Sequence, residues 1–208
     1  MSSAPQVEFW FDPICPWCWM TSRWISEVAE VRGFEVAWHP VSLAIINENS
    51  DPEADYMKSH REAFEQSLRM GRIAVAAEEQ LGNQAVAALY TALGTRLHPE
   101  GRKDYEALVN DAVAEALPAD FTEAAAVAAA NTDLDAVLRA NTTHALEIAG
   151  PDVGVPVISV NGVAFFGPVV TPAPTGETAL QLWDGIVAAA SVPGFYELKR
   201  GRTVGPQF

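Results

Sequence analysis

The chain has 208 residues, 49% hydrophobic and 19% charged, an ordinary globular balance with ample length for a sizeable core. A formal net charge of −14 argues against nucleic acid and an anionic membrane as partners, and a solvated acidic surface accounts for it. No stretch has the uninterrupted apolar length of a membrane-spanning helix, and Met1–Gln6 lacks the apolar segment of a secretory signal, so a cytoplasmic protein with reduced thiols is expected.

In chain order, Val7–Phe11 is aromatic-rich, too short for a helix, and stops at Asp12-Pro13, so it reads as a buried strand. Directly after it stands Cys15-Pro16-Trp17-Cys18, which contains both cysteines of the chain. From Pro16 the pattern becomes helical: Trp24, Ile25, Val28 and Val31 share one face and Gly33 stops the run. Proline suits the first turn of that helix, where its missing N–H has no partner anyway. Cys15 therefore stands at a helix N-terminus, where unpaired N–H groups and the dipole stabilise a thiolate. Cys18 lies one turn further in and is expected to be the more buried. This assigns Cys15 as the nucleophile and Cys18 as the thiol that resolves a mixed disulfide.

Half of a zinc site is the other reading of a CxxC pair. Structural zinc takes four ligands, and His39, His60, His98 and His144 are scattered through the chain, so no metal is expected.

Phe34–Val41 reads as a second strand, with Val36, Trp38 and Pro40 alternating against Glu35, Ala37 and His39. Strand, helix and strand in this order make a right-handed parallel unit, which brings Ser42–Ser50 close to Cys15. From Pro52 to Thr132 the spacing is helical, with breaks near Gly82-Asn83, His98–Gly101 and Leu117-Pro118; Ala124–Ala130 reads as close helix packing. A helix over Asp133–Ala149 has Leu134, Val137, Leu138 and Ile148 for its buried face. Strand signals return at Pro156–Val160 and Val163–Gly167, with Asn161-Gly162 between them as a two-residue hairpin turn. A last helix over Gly176–Ala190 carries Leu180, Leu182, Trp183, Ile186 and Val187. The tail Pro193–Phe208, with Lys199, Arg200 and Arg202, is expected to be solvated; an anion-binding clasp is the alternative.

This order describes an α/β protein with a thioredoxin fold and an inserted all-helical domain. The thioredoxin-like part would comprise residues 1–45 and 133–208, and the insertion residues 46–132. Val155-Pro156 opens the third strand where such proteins hold a cis proline opposite the CxxC, leaving the backbone of Val155 to pair with an extended ligand.

Several stretches together resemble the DsbA-like branch of the thioredoxin superfamily, within it the cytoplasmic mycothiol-dependent nitroreductase group. They are Phe9–Pro13 leading into Cys15–Trp19, Thr21-Ser22-Arg23-Trp24, Ser42–Ile45 with Asn47-Glu48-Asn49, Asn161–Pro168, and Phe195–Arg200. The resemblance implies a reductase that draws electrons from the small thiol mycothiol, with a reactive Cys15, a resolving Cys18, no tightly bound cofactor, and a helical domain that moves over the site. It also implies threonine where this chain has Val155, a position that tunes access to the attacking sulfur. The Pro16-Trp17 dipeptide carries no cation to add to the helix field, which agrees with a reducing dithiol.

Beyond the cysteines, the candidate substrate-binding residues are Pro16, Trp17, Asn47, Tyr56, Val155 and Pro156. Trp17 is expected to be exposed and to stack on a flat substrate. Asn47 and Tyr56 either line the pocket or serve as loop cap and helix surface. Asp12 is either a proton acceptor for Cys18 or a strand-end turn residue, and His98 a turn residue. Trp10, Trp24, Trp38 and Trp183 belong to the core. The expected partners are a small thiol and a disulfide or small-molecule substrate, and a monomer is expected because no apolar stripe is left over. Two other classes share parts of the pattern: kappa-type glutathione-dependent transferases and isomerases, in which Cys18 would have no role, and a redox-sensing holdase.

Overall fold

The computed structural model describes residues 4–208, so the reading of Met1–Gln6 falls partly on residues 1–3, outside the described residues. Strand β1 (Val7–Phe11) has four of its five residues buried, as a strand covered on both faces must. Its side chains alternate. Phe9 and Phe11 face Trp38, while Trp10 faces the opposite way, against His39 and His144.

Helix α1 (Pro16–Arg32) starts and stops where the sequence places it. Cys15 is its N-cap, Pro16 opens the first turn, and Gly33 closes it at φ 71°, donating its N–H to the Ala29 carbonyl at 2.8 Å. That left-handed backbone suits glycine, which has no Cβ to clash. Trp24, Ile25 and Val28 are fully buried, but Val31 is 61% exposed, contrary to the helical-face reading. The turn at Gly33 brings Phe34 onto Trp183 instead, with ring centroids 4.9 Å apart, and Phe34 takes the buried place.

Strand β2 (Val36–Pro40) is shorter at both ends than its apolar run, and pairs parallel with β1 from Val7 opposite Val36 to Phe11 opposite Pro40. After the helices come β3 (Val157–Val160) and β4 (Val163–Phe166), an antiparallel hairpin whose Asn161 and Gly162 have φ of 52° and 82°. Two positive φ values in a two-residue loop match the right-handed twist of the strands. β3 lies antiparallel to β1, and the sheet order is β2-β1-β3-β4. The Val155-Pro156 peptide is cis, as are Gly167-Pro168 and Thr171-Pro172.

Between β2 and β3 run α2 (Leu43–Ile46), α3 (Asp55–Leu81), α4 (Asn83–Leu97), α5 (Tyr105–Ala116), α6 (Thr122–Ala130) and α7 (Asp135–Ala149), with single 3-10 turns at Ala119–Phe121 and Thr132–Leu134. The expected breaks fall between them. In α6, Ala125 and Ala128 are buried, so small side chains let it lie close on α3. The buried stripe of α7 is Leu138, Thr142 and Ala145, and its next position is Ala149; Ile148 sits beside that stripe and is 37% exposed, which corrects its placement in the core. Leu134 and Val137 are half-buried. α7 packs across β4, β1 and β2.

Helix α8 (Gly176–Ala190) buries Ala179 and Trp183 against α1, and the Trp24 indole donates to the Ala179 carbonyl at 2.9 Å. Edge strand β2 is closed by a side chain: Asn83 accepts the Trp38 N–H and donates to the Trp38 carbonyl, both at 2.8 Å, as a neighbouring strand would. No helix among the described residues is long and apolar enough to cross a membrane.

The tail is exposed along nearly its whole length, as a solvated tail should be, but it has a defined course. Tyr196 and Leu198 are exposed, yet the chain then folds back: the Gln207 N–H donates to Thr171 Oγ1 at 2.7 Å and the Phe208 ring stacks on His98 at 5.5 Å.

Candidate functional site

The turn after β1 builds the site. Asp12 ends the strand and accepts the Cys15 N–H on its backbone carbonyl at 3.0 Å, while its carboxylate accepts the Ile14 N–H at 2.9 Å. This closes a tight loop that delivers Cys15 to the N-cap of α1. There Cys15 Sγ accepts the Cys18 N–H at 3.4 Å, and the Cys15 carbonyl takes the first helical bond from Trp19 at 3.1 Å. An anionic sulfur at this point meets a backbone donor and the positive end of a helix of 17 residues.

Both thiols are free and buried, with Cys15 4% exposed and Cys18 0%. Burial pushes the Cys18 proton affinity well up, and its hydrogen bond and charge interaction with Cys15 push it further. Val155 stands opposite: its carbonyl lies 3.7 Å from Cys15 Sγ and accepts from the thiol, so that carbonyl is engaged in this state. A chain of named contacts therefore brings Cys15, Cys18, Val155 and Pro156 to one edge of the sheet. Pro16 and Trp17 lie in the first turn of α1, whose Thr21 hydroxyl sits 3.0 Å from the Trp17 carbonyl and 2.6 Å from the Pro168 carbonyl.

Trp17 is half-buried and packs against the core, which corrects its expected exposure. The Arg202 guanidinium, carried by the returning tail, sits 5.1 Å from its ring centroid. A cation thus covers the dipeptide from the far end of the chain, although the dipeptide itself has none.

Asn47 caps α2 by donating to the Leu43 carbonyl at 2.8 Å, which is the loop-capping alternative. Tyr56 is 49% exposed and its ring lies tilted against His60, with centroids 4.3 Å apart. Its proton affinity is raised by partial burial and then by the charges of Cys15 and Asp12.

Asp12 is more than a turn residue. It is fully buried, and burial raises its pKa from 3.8 to about 6 against the opposing pull of donors from Leu43, Ser67 and Ile14. The Leu43 N–H reaches Oδ2 at 2.6 Å and the Ser67 hydroxyl reaches the same oxygen at 2.5 Å. The Asp12 charge raises the proton affinity of Cys18, while the Asp12 backbone N–H lowers it.

His98 also exceeds its expected role. Its Nε2–H donates to the Pro13 carbonyl at 2.9 Å, its ring stacks on Trp19 at 5.9 Å, and desolvation lowers its pKa from 6.5 to about 4. A neutral imidazole from the end of α4 thereby holds the loop that presents Cys15. Of the other histidines, His39 faces Glu8 at 3.3 Å and His60 bonds the Tyr56 carbonyl at 2.9 Å.

Three features escape a reading of the sequence. Ser67 has no local signature at all. Tyr90 lies flat on Phe11 with centroids 3.9 Å apart, and its buried hydroxyl has no hydrogen-bond partner among the described residues. Trp19 packs directly on the backbone of α4, because Gly94 offers no Cβ; one added there would overlap the indole. The unusual placement of a glycine inside a helix is the one signal that could have pointed to it.

This architecture, a sheet of order β2-β1-β3-β4 with helices between its second and third strands, is a DsbA-like thioredoxin fold. It superimposes on the cytosolic disulfide reductase DsbM from Pseudomonas aeruginosa with a TM-score of 0.57 at 16% identity, covering 88% of this chain and 99% of that one. The same protein solved with GSH gives 0.56 at 18% identity over 88% and 99%. The thiol-disulfide oxidoreductase MdbA from Corynebacterium matruchotii gives 0.54 at 14% identity over 82% and 81%. In sequence the chain is 32% identical over 204 residues to the uncharacterized protein Rv2286c of Mycobacterium tuberculosis, covering 95% of this chain and 82% of that one.

Residues 14–200 match the family described as Rv2466c-like, mycothiol-dependent nitroreductase Rv2466c. The chain belongs to this family and is an oxidoreductase.

Proposed function

We propose that this protein is a cytoplasmic thiol-disulfide reductase that uses the Cys15–Cys18 dithiol, draws electrons from mycothiol, and reduces disulfides or nitro compounds. The observation that carries the reading is the placement of Cys15 Sγ at the N-cap of α1, accepting the Cys18 N–H and facing the Val155 carbonyl. Family membership supports mycothiol as the donor, and the DsbM neighbour solved with GSH supports a small thiol as partner.

The Cys15 thiolate attacks one sulfur of the substrate disulfide; a Cys15–substrate disulfide forms and the first substrate thiolate leaves. Cys18 passes its proton to Asp12 and attacks the Cys15 sulfur, so the ring disulfide closes and the second substrate thiolate leaves. One mycothiol thiolate reopens the ring at Cys15, and Cys18 recovers its proton from Asp12. A second mycothiol displaces Cys15 and departs in mycothiol disulfide. In sum, one disulfide and two mycothiols give two thiols and one mycothiol disulfide. A nitro group takes the same two electrons with two protons, giving a nitroso group and water.

In this reading Pro16, Trp17, Val155 and Pro156 border the attacked sulfur, Tyr56 forms the outer wall, and Asn47 serves as the cap of α2. Residues 1–45 and 133–208 act as the thioredoxin-like unit, and residues 46–132 as the helical insertion above it. The test is intact-mass analysis of Cys18→Ser after exposure to cytosol from a mycothiol-producing cell. A mycothiol adduct on Cys15 is the expected result. A protein adduct would make protein disulfides the substrate, and turnover retained by Cys15→Ser would overturn the mechanism.

A further inference from the structure

Asp12 is the terminus of a buried chain of donors whose direction can be deduced. The Ser67 hydroxyl has one proton, and an ionised Asp12 only accepts, so that proton goes to Oδ2. Ser42 Oγ lies 2.6 Å from Ser67 Oγ and must then be the donor to it, while Ser42 Oγ itself accepts the Ala44 N–H at 3.2 Å. The order is Ala44 N–H, Ser42 O–H, Ser67 O–H, Asp12, every proton pointing at the carboxylate. Ser42, Ser67 and Asp12 are all 0% exposed. Such a chain polarises cooperatively and matters most where water is absent.

The acceptor count leaves one place open. A carboxylate has about four lone-pair sites. The Leu43 N–H and Ser67 O–H occupy Oδ2, and the Ile14 N–H takes one site on Oδ1. The remaining site on Oδ1 can take a proton without breaking any of these bonds.

We propose that Ser67, delivered by α3, is a positioning residue for the resolving step: its hydroxyl holds Asp12 ionised beside Cys18, ready to take the Cys18 proton. The inference rests on the dithiol reading above and adds to it a role for the helical segment. Seating of α3 and proton transfer become one event, because withdrawing Ser67 leaves Asp12 with two donors in a buried site. The titratable groups that feel the Asp12 charge are Cys18 on α1 and Tyr56 on α3.

The experiment follows the resolving step alone. Reduced protein is mixed with a chromogenic aryl disulfide, and release of the second aryl thiol is timed by stopped flow from pH 5 to 9. Ser67→Ala should move the midpoint of this profile upward by about one pH unit, a tenfold change at fixed pH, as expected when a charge-assisted bond is lost. The first burst, from Cys15 attack, should keep its rate. Ser67→Thr, which retains the hydroxyl, should restore the midpoint. Ser42→Ala, which removes the donor behind Ser67, should shift it the same way by less, and serves if Ser67→Ala does not fold. Unshifted midpoints in these alanine variants would overturn the proposal. Asp12→Asn separates the two layers: an unchanged profile there would remove Asp12 from the mechanism, whereas a changed profile with unshifted serine variants would remove Ser67 alone.

Discussion

Asp12 and His98 should act on stability in opposite directions over the same pH range, and each variant should expose the other. Asp12 titrates near 6 when folded against 3.8 for an ordinary carboxylate, because burial disfavours its charge. The folded protein therefore binds this proton more tightly, and the stabilisation present below 3.8 is lost as pH rises through 6. The cost of the charged form is about 3 kcal/mol at pH 7 and about 0.5 kcal/mol at pH 4. His98 titrates near 4 when folded against 6.5, since desolvation disfavours the imidazolium. Its contribution is present above 6.5 and is lost as pH falls, amounting to about 3 kcal/mol by pH 4. These two groups nearly cancel in the wild type. His98→Gln keeps a donor for the Pro13 carbonyl but removes the titration. The variant-minus-wild-type stability, from urea denaturation at pH 4 to 7.5, should thus rise by about 3 kcal/mol toward pH 4. Asp12→Asn should show a difference of opposite slope, falling by about 2 kcal/mol over the same range, whatever constant offset its altered hydrogen bonds add. Flat difference curves would refute the reasoning, because a buried group with a shifted proton affinity must leave this signature.

Gly94→Ala should destabilise the protein by about 1–3 kcal/mol through overpacking against Trp19, although the same change in an open helix gains about 1 kcal/mol. Denaturation together with the near-ultraviolet signal of the indole checks it, and a stabilised variant would contradict the packing. Trp24→Phe removes the indole donor to Ala179 that joins α1 to α8 and should cost about 1–2 kcal/mol; a loss below about 0.3 kcal/mol would mean that this bond contributes nothing.

Local chemistry made much of the fold readable. Pro16 and Gly33 bracket α1 because each has a backbone preference that no other residue shares, and Asn161-Gly162 announces the hairpin for the same reason. The helix breaks at Gly82, His98–Gly101 and Leu117-Pro118 are equally local. What stayed hidden depends on which surfaces meet. Asn83 reads as a helix break, and only the packing of α4 beside β2 turns its amide into a substitute strand. Asp12 is legible as the end of a strand, but its buried hydroxyl partner, Ser67, stands 55 residues away. Val31 and Ile148 fit an apolar period yet lie beside the stripe that neighbouring elements cover. A period describes one face of a helix, not the extent of what covers it.

The returning tail has a practical consequence for anyone handling the protein. Phe208 rests on His98, and Arg202 rests on Trp17, so a reporter or affinity handle joined after Phe208 would emerge at the rim of the proposed redox centre. The Val7 end of β1 lies a full strand away from the turn that carries Cys15, about 17 Å for five residues. Attachments belong at that end, and kinetics measured with a handle at the other end would report on the handle as much as on the dithiol.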